Sequence, residues 1–192
     1  MNNSMVLKMN TENSYTAFMG NTQLIRDSLF NVALTIKNIE NSDSTILIFN
    51  DQTGQQLDVD LSGSDTDLAL RYAEPEATKK GGRPKVGVIA REITLQQKHW
   101  DWLDQQSSSA SAVIRKLIDQ ELNNPLSESN IMLAKQATDR FMSAMLGNMP
   151  NYEEATRALY QGNKDQFLQL IEHYPTDLKT YVLTLSQHVF SS

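Results

Sequence analysis

Asp58, Asp60 and Ser62 alternate ahead of Gly63, the opening of a calcium-binding loop with oxygen ligands at every second position and a glycine at the turn. Such a loop needs a bidentate carboxylate at its twelfth position, where Ala69 stands. Without that ligand the stretch reads as a strand with Asp58 and Asp60 on its wet face. His99, His173 and His188 are scattered, none with a second histidine three or four residues away, so no ligand pair or acid–base pair follows from them. Gly81-Gly82 is not followed by a Lys-Ser or Lys-Thr helix start, and no serine sits in a nucleophile elbow. Trp100 and Trp102 are of a type that stacks on unpaired bases, but residues two apart on a helix face different ways. Trp100 is expected in a core and Trp102 at a domain junction. No catalytic residue, metal ligand or cofactor is assigned, and the chain is expected not to be an enzyme.

The remaining chemistry lies in the middle of the chain. Ile89, Arg91, Ile93 and Leu95 share one face of a predicted strand, and Val88, Ala90, Glu92 and Thr94 share the other. Gln96 to Gln106 is helical in type, with Trp100 and Leu103 on one side. Ser107-Ser108-Ser109 breaks the chain and can cap a second helix, in which Ala110, Val113, Ile114, Leu117, Ile118 and Leu122 form an apolar stripe. About 35 residues arranged as strand, helix, turn and helix cannot enclose a core alone. The physical remedy is a second copy: two strands pair into a ribbon and four helices bury their stripes. Ile93, Leu95, Trp100, Leu103, Val113, Ile114 and Leu117 are the expected dimer core.

This segment resembles the ribbon-helix-helix fold on Glu92-Ile-Thr-Leu95, on the first helix around Trp100 and Leu103, and on the second from Ser109. The resemblance implies that the ribbon enters the major groove of double-stranded DNA, with Glu92 and Thr94 facing bases. It also implies that backbone amides near Ser109 and Ser111 hold phosphate. Glu92 carries a negative charge where that family usually has donors, although a glutamate accepts from cytosine N4. Lys79, Lys80, Arg83 and Lys85 stand just before the ribbon as candidate phosphate contacts. Gly82-Arg83-Pro84 resembles the core of a minor-groove hook, without the arginine normally found before its glycine.

The elements around this segment set its context. Ser14–Met19 and Thr22–Arg26 read as strands joined at Gly20-Asn21. A helix follows with Leu29, Val32, Ala33, Ile36 and Ile39 on one face. Thr45–Asn50 and Gln55–Leu61 make a second hairpin, and Ser64 with Asp67 opens a short helix. Beyond Leu126 the pattern is all helix, stopped at Gly147, Gly162 and Pro175, with starts at Asn151, Asn163 and Thr176. The expected fold is therefore α+β: a disordered tail 1–13, a small ββαββ unit 14–72, a linker 73–85, the ribbon-helix-helix-like segment 86–124 and a helical domain 125–192.

The 192 residues carry a net charge of −6, 40% hydrophobic residues and no cysteine. The last point rules out disulfides and thiolate chemistry. The charge is uneven, with 4 basic and 11 acidic residues over 1–78, 8 and 5 over 79–124, and 5 and 7 over 125–192. Only the middle is positive. The longest aliphatic or aromatic run, Ile46–Phe49, is far too short to span a bilayer. Met1–Asn10 is polar, so no membrane association and a cytoplasmic location are expected.

Taken end to end, the chain resembles a bacterial family known as a domain of unknown function. The likeness is carried by Tyr15-Thr-Ala-Phe18, Gly82-Arg-Pro-Lys85, Glu92-Ile-Thr-Leu95, His99-Trp-Asp-Trp-Leu103, Arg140-Phe-Met-Ser-Ala-Met145 and the stretch from Glu153 to Phe167. It implies a bacterial origin and brings no activity with it. The expected function is a dimeric DNA-binding protein of the transcription-regulator kind. The alternative is a protein-interaction adaptor that docks its partner through the C-terminal helices.

Overall fold

The computed structural model describes residues 13–39, 45–73 and 89–190. The chain is mixed α+β and divides into two compact units: residues 1–73 together with 126–192, and residues 74–125. The second unit is thus an insertion in the sequence of the first.

In the first unit, β1 (Tyr15–Met19) and β2 (Thr22–Asp27) form a hairpin around Gly20-Asn21. Ser28 caps α1 (Leu29–Lys37), its hydroxyl accepting from the Asn31 amide. Strands β3 (Ile46–Asn50) and β4 (Gln56–Leu57) complete an antiparallel sheet of order β2-β1-β3-β4. The register places Ala17 opposite Ile48 and Phe18 opposite Leu47. Leu24 is bulged out of the β1–β2 register, so both Leu24 and Ile25 pack on the same apolar cluster. Ser64 and Asp67 close a reciprocal capping box on α2 (Asp65–Tyr72).

Strand β4 stops short of the predicted Leu61 for a local reason. The Asp60 amide donates to the Tyr72 hydroxyl, and Arg71 Nη1 donates to the Asp60 carbonyl at 2.8 Å. Side chains of α2 therefore take the backbone groups that a longer ladder would have used. The Asp60 carboxylate turns onto its own loop, accepting from the Ser62 amide at 2.9 Å.

The helices α5 (Glu128–Leu146), α6 (Tyr152–Gln161), α7 (Lys164–Leu170) and α8 (Thr176–Leu185) follow the inserted unit. Gly162 ends α6 with φ +69°, and the Asn163 side chain accepts from the Gln166 amide to start α7. Two predicted caps differ. Asn151 lies in the left-handed region without a side-chain cap, and Pro175 rather than Thr176 precedes α8.

The sequence places residues 14–72 and 125–192 in separate domains, whereas their side chains share one core. The reason is the two-faced character of the central strands. Ala17 and Ile48 point to a cluster with Val32, Ile36 and Val59 on the α1 side. Phe18, Leu47 and Phe49 point the other way, into a cluster with Phe141, Met142, Tyr181 and Val182. One short helix cannot cover both faces of a sheet, so α5 and α8 cover the second. Phe141 sits at the centre of this second cluster, with ring centroids 4.9 Å from Phe49, 5.4 Å from Phe18 and 4.5 Å from Tyr181. Each such edge or tilted pair adds about 0.5–1.5 kcal/mol beyond area burial.

Two contacts fasten the sheet to these helices. Gly54 (φ +65°) lies against α5 so closely that a Cβ there would stand 1.9 Å from the Ala137 carbonyl oxygen, and Arg140 Nη1 donates to the Thr53 carbonyl at 2.8 Å. The second contact is the Asp51 carboxylate, whose side chain is 5% exposed. One oxygen accepts from Thr16 Oγ1 and the Tyr181 hydroxyl, the other from Ser14 Oγ and Arg26 Nε, all at 2.7 Å. Burial first, then the charge and hydrogen bond of Asp51, push the Tyr181 hydroxyl far above its ordinary value of 10.0.

Replacing Asp51 by alanine strands the Thr16 and Tyr181 hydroxyls. It is expected to cost about 3–5 kcal/mol, against about 1–2 kcal/mol for Tyr181→Phe, both read from urea unfolding. A raised tyrosine pKa favours the protonated native state. Its contribution is therefore complete below the unfolded value near 10.0 and is lost as pH rises beyond it. Stability of the natural chain should fall more steeply above that pH than stability of Tyr181→Phe. Because every residue of the two apolar clusters lies within 15–59 or 134–190, replacing 74–125 by a flexible Gly/Ser linker should leave a cooperatively unfolding first unit. A molten, non-cooperative product would contradict the division into two units.

Candidate nucleic-acid interface

Between residues 89 and 125 the inserted unit contains α3 (Gln97–Asp104) and α4 (Ala110–Leu122). Arg91–Leu95, predicted as a strand, makes no strand pairing among the described residues. Residues 89–96 form no strand, and no other strand is described in this unit that could pair with them. Gln96 is the turning point into α3, its amide donating to His99 Nδ1 at 3.2 Å. Gln97 and Asp101 are bridged one turn apart at 2.7 Å.

The two helices touch and bury Leu103, which is 5% exposed, but α4 has no buried residue. Its stripe faces solvent increasingly toward the C-terminal end: Val113 and Ile114 are half-buried, while Leu117 is 49%, Ile118 51% and Leu122 61% exposed. Ile93 and Trp102 are also exposed. Leu95 and Trp100 are half-buried. The predicted dimer core therefore consists of Leu103, already covered within the chain, and six residues still wholly or partly open. Together these side chains leave an exposed apolar surface on a small unit. Ile118 and Leu122, already on the stripe read from the sequence, and Trp102 extend it beyond the expected dimer core.

On the polar side, Glu92 and Thr94 are exposed, as are Ser109 and Ser111. Ser109 is the N-cap of α4 and makes no side-chain cap bond. Its carbonyl accepts from the Ala112 and Val113 amides. The amides of the first turn point out of the helix end, where its dipole favours an anion. Lys79, Lys80, Arg83 and Lys85 lie outside the described residues. The positive balance of 79–124 rests on those four. From residue 89 to 125 there are Arg91, Lys98, Arg115 and Lys116 against Glu92, Asp101, Asp104, Asp119 and Glu121.

The polar cluster that spacing in the sequence does not reveal is the one around Asp51, whose partners Ser14, Thr16, Arg26 and Tyr181 are up to 130 positions away. The only local signal is an aspartate directly after the apolar strand Ile46–Asn50. Each of its oxygens already carries two donors, so the carboxylate holds the fold and leaves no open lone pair for a substrate. A shallow groove lined by Asp139, Arg140, Ser143 and Tyr152 is similarly engaged. Asp139 accepts from the Tyr160 hydroxyl, and Arg140 is bound to Thr53.

No curated protein and no solved structure matches the chain. A family model described as an uncharacterized protein conserved in bacteria matches residues 14–186, a span running from the first strand through the inserted unit to the end of the last helix. The chain therefore belongs to that bacterial family, DUF2239.

Proposed function

We propose that two copies of this chain associate through residues 86–124 and bind double-stranded DNA with the composite surface, acting in the cytoplasm as a transcriptional regulator. The observation that carries the reading is the uncovered apolar surface of Ile93, Trp102, Leu117, Ile118 and Leu122, beside a run whose residue alternation suits a strand although it forms none here. A second copy answers both needs at once. Strand pairs with strand, which supplies the missing ladder, and stripe packs on stripe.

Burying a large aliphatic side chain fully is worth about 1.5–3 kcal/mol. Covering five half-exposed ones on each of two copies then recovers on the order of 10 kcal/mol. Association itself costs about 4–15 kcal/mol. Gain and cost are of similar size, so the proposed dimer is concentration-dependent.

DNA binding is supported by the exposed polar residues of the same segment. In the proposed ribbon Glu92 and Thr94 form the outward pair, and the Ala110 and Ser111 amides precede the two that the Ser109 carbonyl takes up at the start of α4. The four cations at 79–85 precede both. A second reading, an adaptor that docks a protein on the C-terminal helices, is favoured by Met132 and Leu133 of α5, which are 43% and 57% exposed.

Sedimentation across a concentration series should show a monomer–dimer equilibrium that Leu117→Glu abolishes while the first unit keeps its far-ultraviolet spectrum. A natural chain that stays monomeric at its highest attainable concentration overturns the proposal. Anisotropy with mixed-sequence duplex should show affinity falling with salt, and Lys79→Ala with Lys80→Ala should flatten the log–log slope by about 0.9 for each phosphate no longer neutralised. A dimer with no affinity for duplex at low salt leaves the adaptor reading.

A further inference from the structure

We infer that Asp177 makes an autoinhibitory contact: its carboxylate occupies the outer edge of β2 and keeps the sheet from adding β2 of a second copy. The contact lies wholly within the first unit and does not depend on how 86–124 associates.

The order β2-β1-β3-β4 leaves β2 at one edge, with no further strand on it among the described residues. The Asp51 amide donates to the Ser14 carbonyl, so Ser14, Thr16 and Phe18 turn their backbone groups toward β3. By alternation Tyr15, Ala17 and Met19 turn theirs toward β2, onto Asp27, Ile25 and Thr22. Gln23 and Arg26 are left with amides and carbonyls pointing out of the sheet. Such an edge is a template for another strand.

A side chain from the far end of the sequence meets it. Asp177, in the first turn of α8, accepts from the Gln23 amide through Oδ2 at 2.9 Å, across 154 positions. A bond to an ionised acceptor is stronger than a neutral one, and the amino end of a helix favours that charge. One turn further on, Tyr181 reaches Asp51, so the same face of α8 is fixed to the sheet at two points. The opposite edge is treated alike. Beyond β4, Tyr72 and Arg71 of α2 take the backbone groups of Asp60. Both edges are therefore met by side chains of a neighbouring helix.

The strand kept out is a second β2. Paired antiparallel to itself, β2 sets Gln23 against the copy's Arg26 and Thr22 against its Asp27, with Leu24 against Ile25. The outward residues of each strand thus meet those of the other, and no like charges are opposed. A two-fold contact requires such self-complementarity. While Asp177 holds the Gln23 amide, the pairing forfeits that bond on both copies and has to bury two carboxylates.

The test is Asp177→Ala in the full-length chain already carrying Leu117→Glu, so that the inserted unit does not contribute to association. Sedimentation should show roughly ten- to hundred-fold tighter self-association than Leu117→Glu alone, with the far-ultraviolet spectrum unchanged. Amide exchange at Gln23 and Arg26 should slow as concentration rises. Asp177→Lys loses the same bond but leaves a lysine at the edge, and should stay monomeric. Weakening of α8 alone would affect alanine and lysine alike. Serine, too short to reach the amide but tolerated in a first helical turn, carries the same expectation as alanine should alanine fail to fold. A folded alanine or serine variant as monomeric as its parent overturns the inference, as does association that lysine shares. In the natural chain at low concentration, the Gln23 amide should be protected about tenfold and the Arg26 amide should not. An unprotected Gln23 amide also overturns it.

Discussion

Two central strands that are apolar on both faces constrain the whole molecule. Ala17 and Ile48 face one way, Phe18 and Phe49 the other, and neither set tolerates water. The first set is covered by α1, which lies only a few residues away along the chain. The second is covered by α5 and α8, drawn from the far end. The N-terminal sheet is therefore incomplete without the C-terminal helices. Asp51 records that dependence in a single group, because four donors from β1, β2, α8 and the residue before β1 converge on its two oxygens. The charge is tolerable in a buried place because each lone-pair direction is used.

Seen from that constraint, residues 74–125 are an excursion between two halves of one structure. The contrast in burial between the units follows. The first unit hides Phe18, Phe49, Phe141, Phe167 and Tyr181 almost completely, while the excursion hides Leu103 and leaves the rest of its stripe open. Among the described residues the excursion adds no side chain to the main core and buries only Leu103 of its own. In the proposed reading its exposed aliphatic side chains suit a second copy, and its exposed polar residues a polyanion.

Much of this was legible in the residues themselves. Gly20-Asn21 marks the first hairpin, the Ser64–Asp67 box marks α2, and Gly147 and Gly162 stop their helices, since each is a local matter of turn and cap chemistry. The sharing of one core was not legible, because Phe18 and Phe141 belong to stretches with ordinary patterns whose meeting is a long-range event. The end of β4 was missed because Tyr72 and Arg71 compete for the Asp60 backbone, a contest that alternation of residue types does not reveal. Arg91–Leu95 illustrates a different limit. The sequence carries a two-faced pattern there, but a ladder is a property of two strands, and a single chain supplies one. At the interface, the exposed polar residues Glu92, Thr94, Ser109 and Ser111 were all nameable in advance from alternation and capping. Leu122 was legible from helical spacing, whereas the exposure of Trp102 emerged only from the structure.

The position of the excursion has a consequence for how the molecule comes into being. Loop closure grows only logarithmically with length, about 0.6 kcal/mol for each doubling, so an insertion of this size between α2 and α5 costs the finished unit little stability. The cost appears in time. A ribosome adding roughly 5–20 residues per second needs on the order of ten seconds to go from β4 to the end of α8. Throughout that interval the aromatic face of the nascent sheet has no cover. The helices of the excursion emerge first, with an oily stripe of their own, and offer a competing surface. A newborn chain thus carries uncovered apolar surface for seconds, far more than the mature protein's tight aromatic core would suggest.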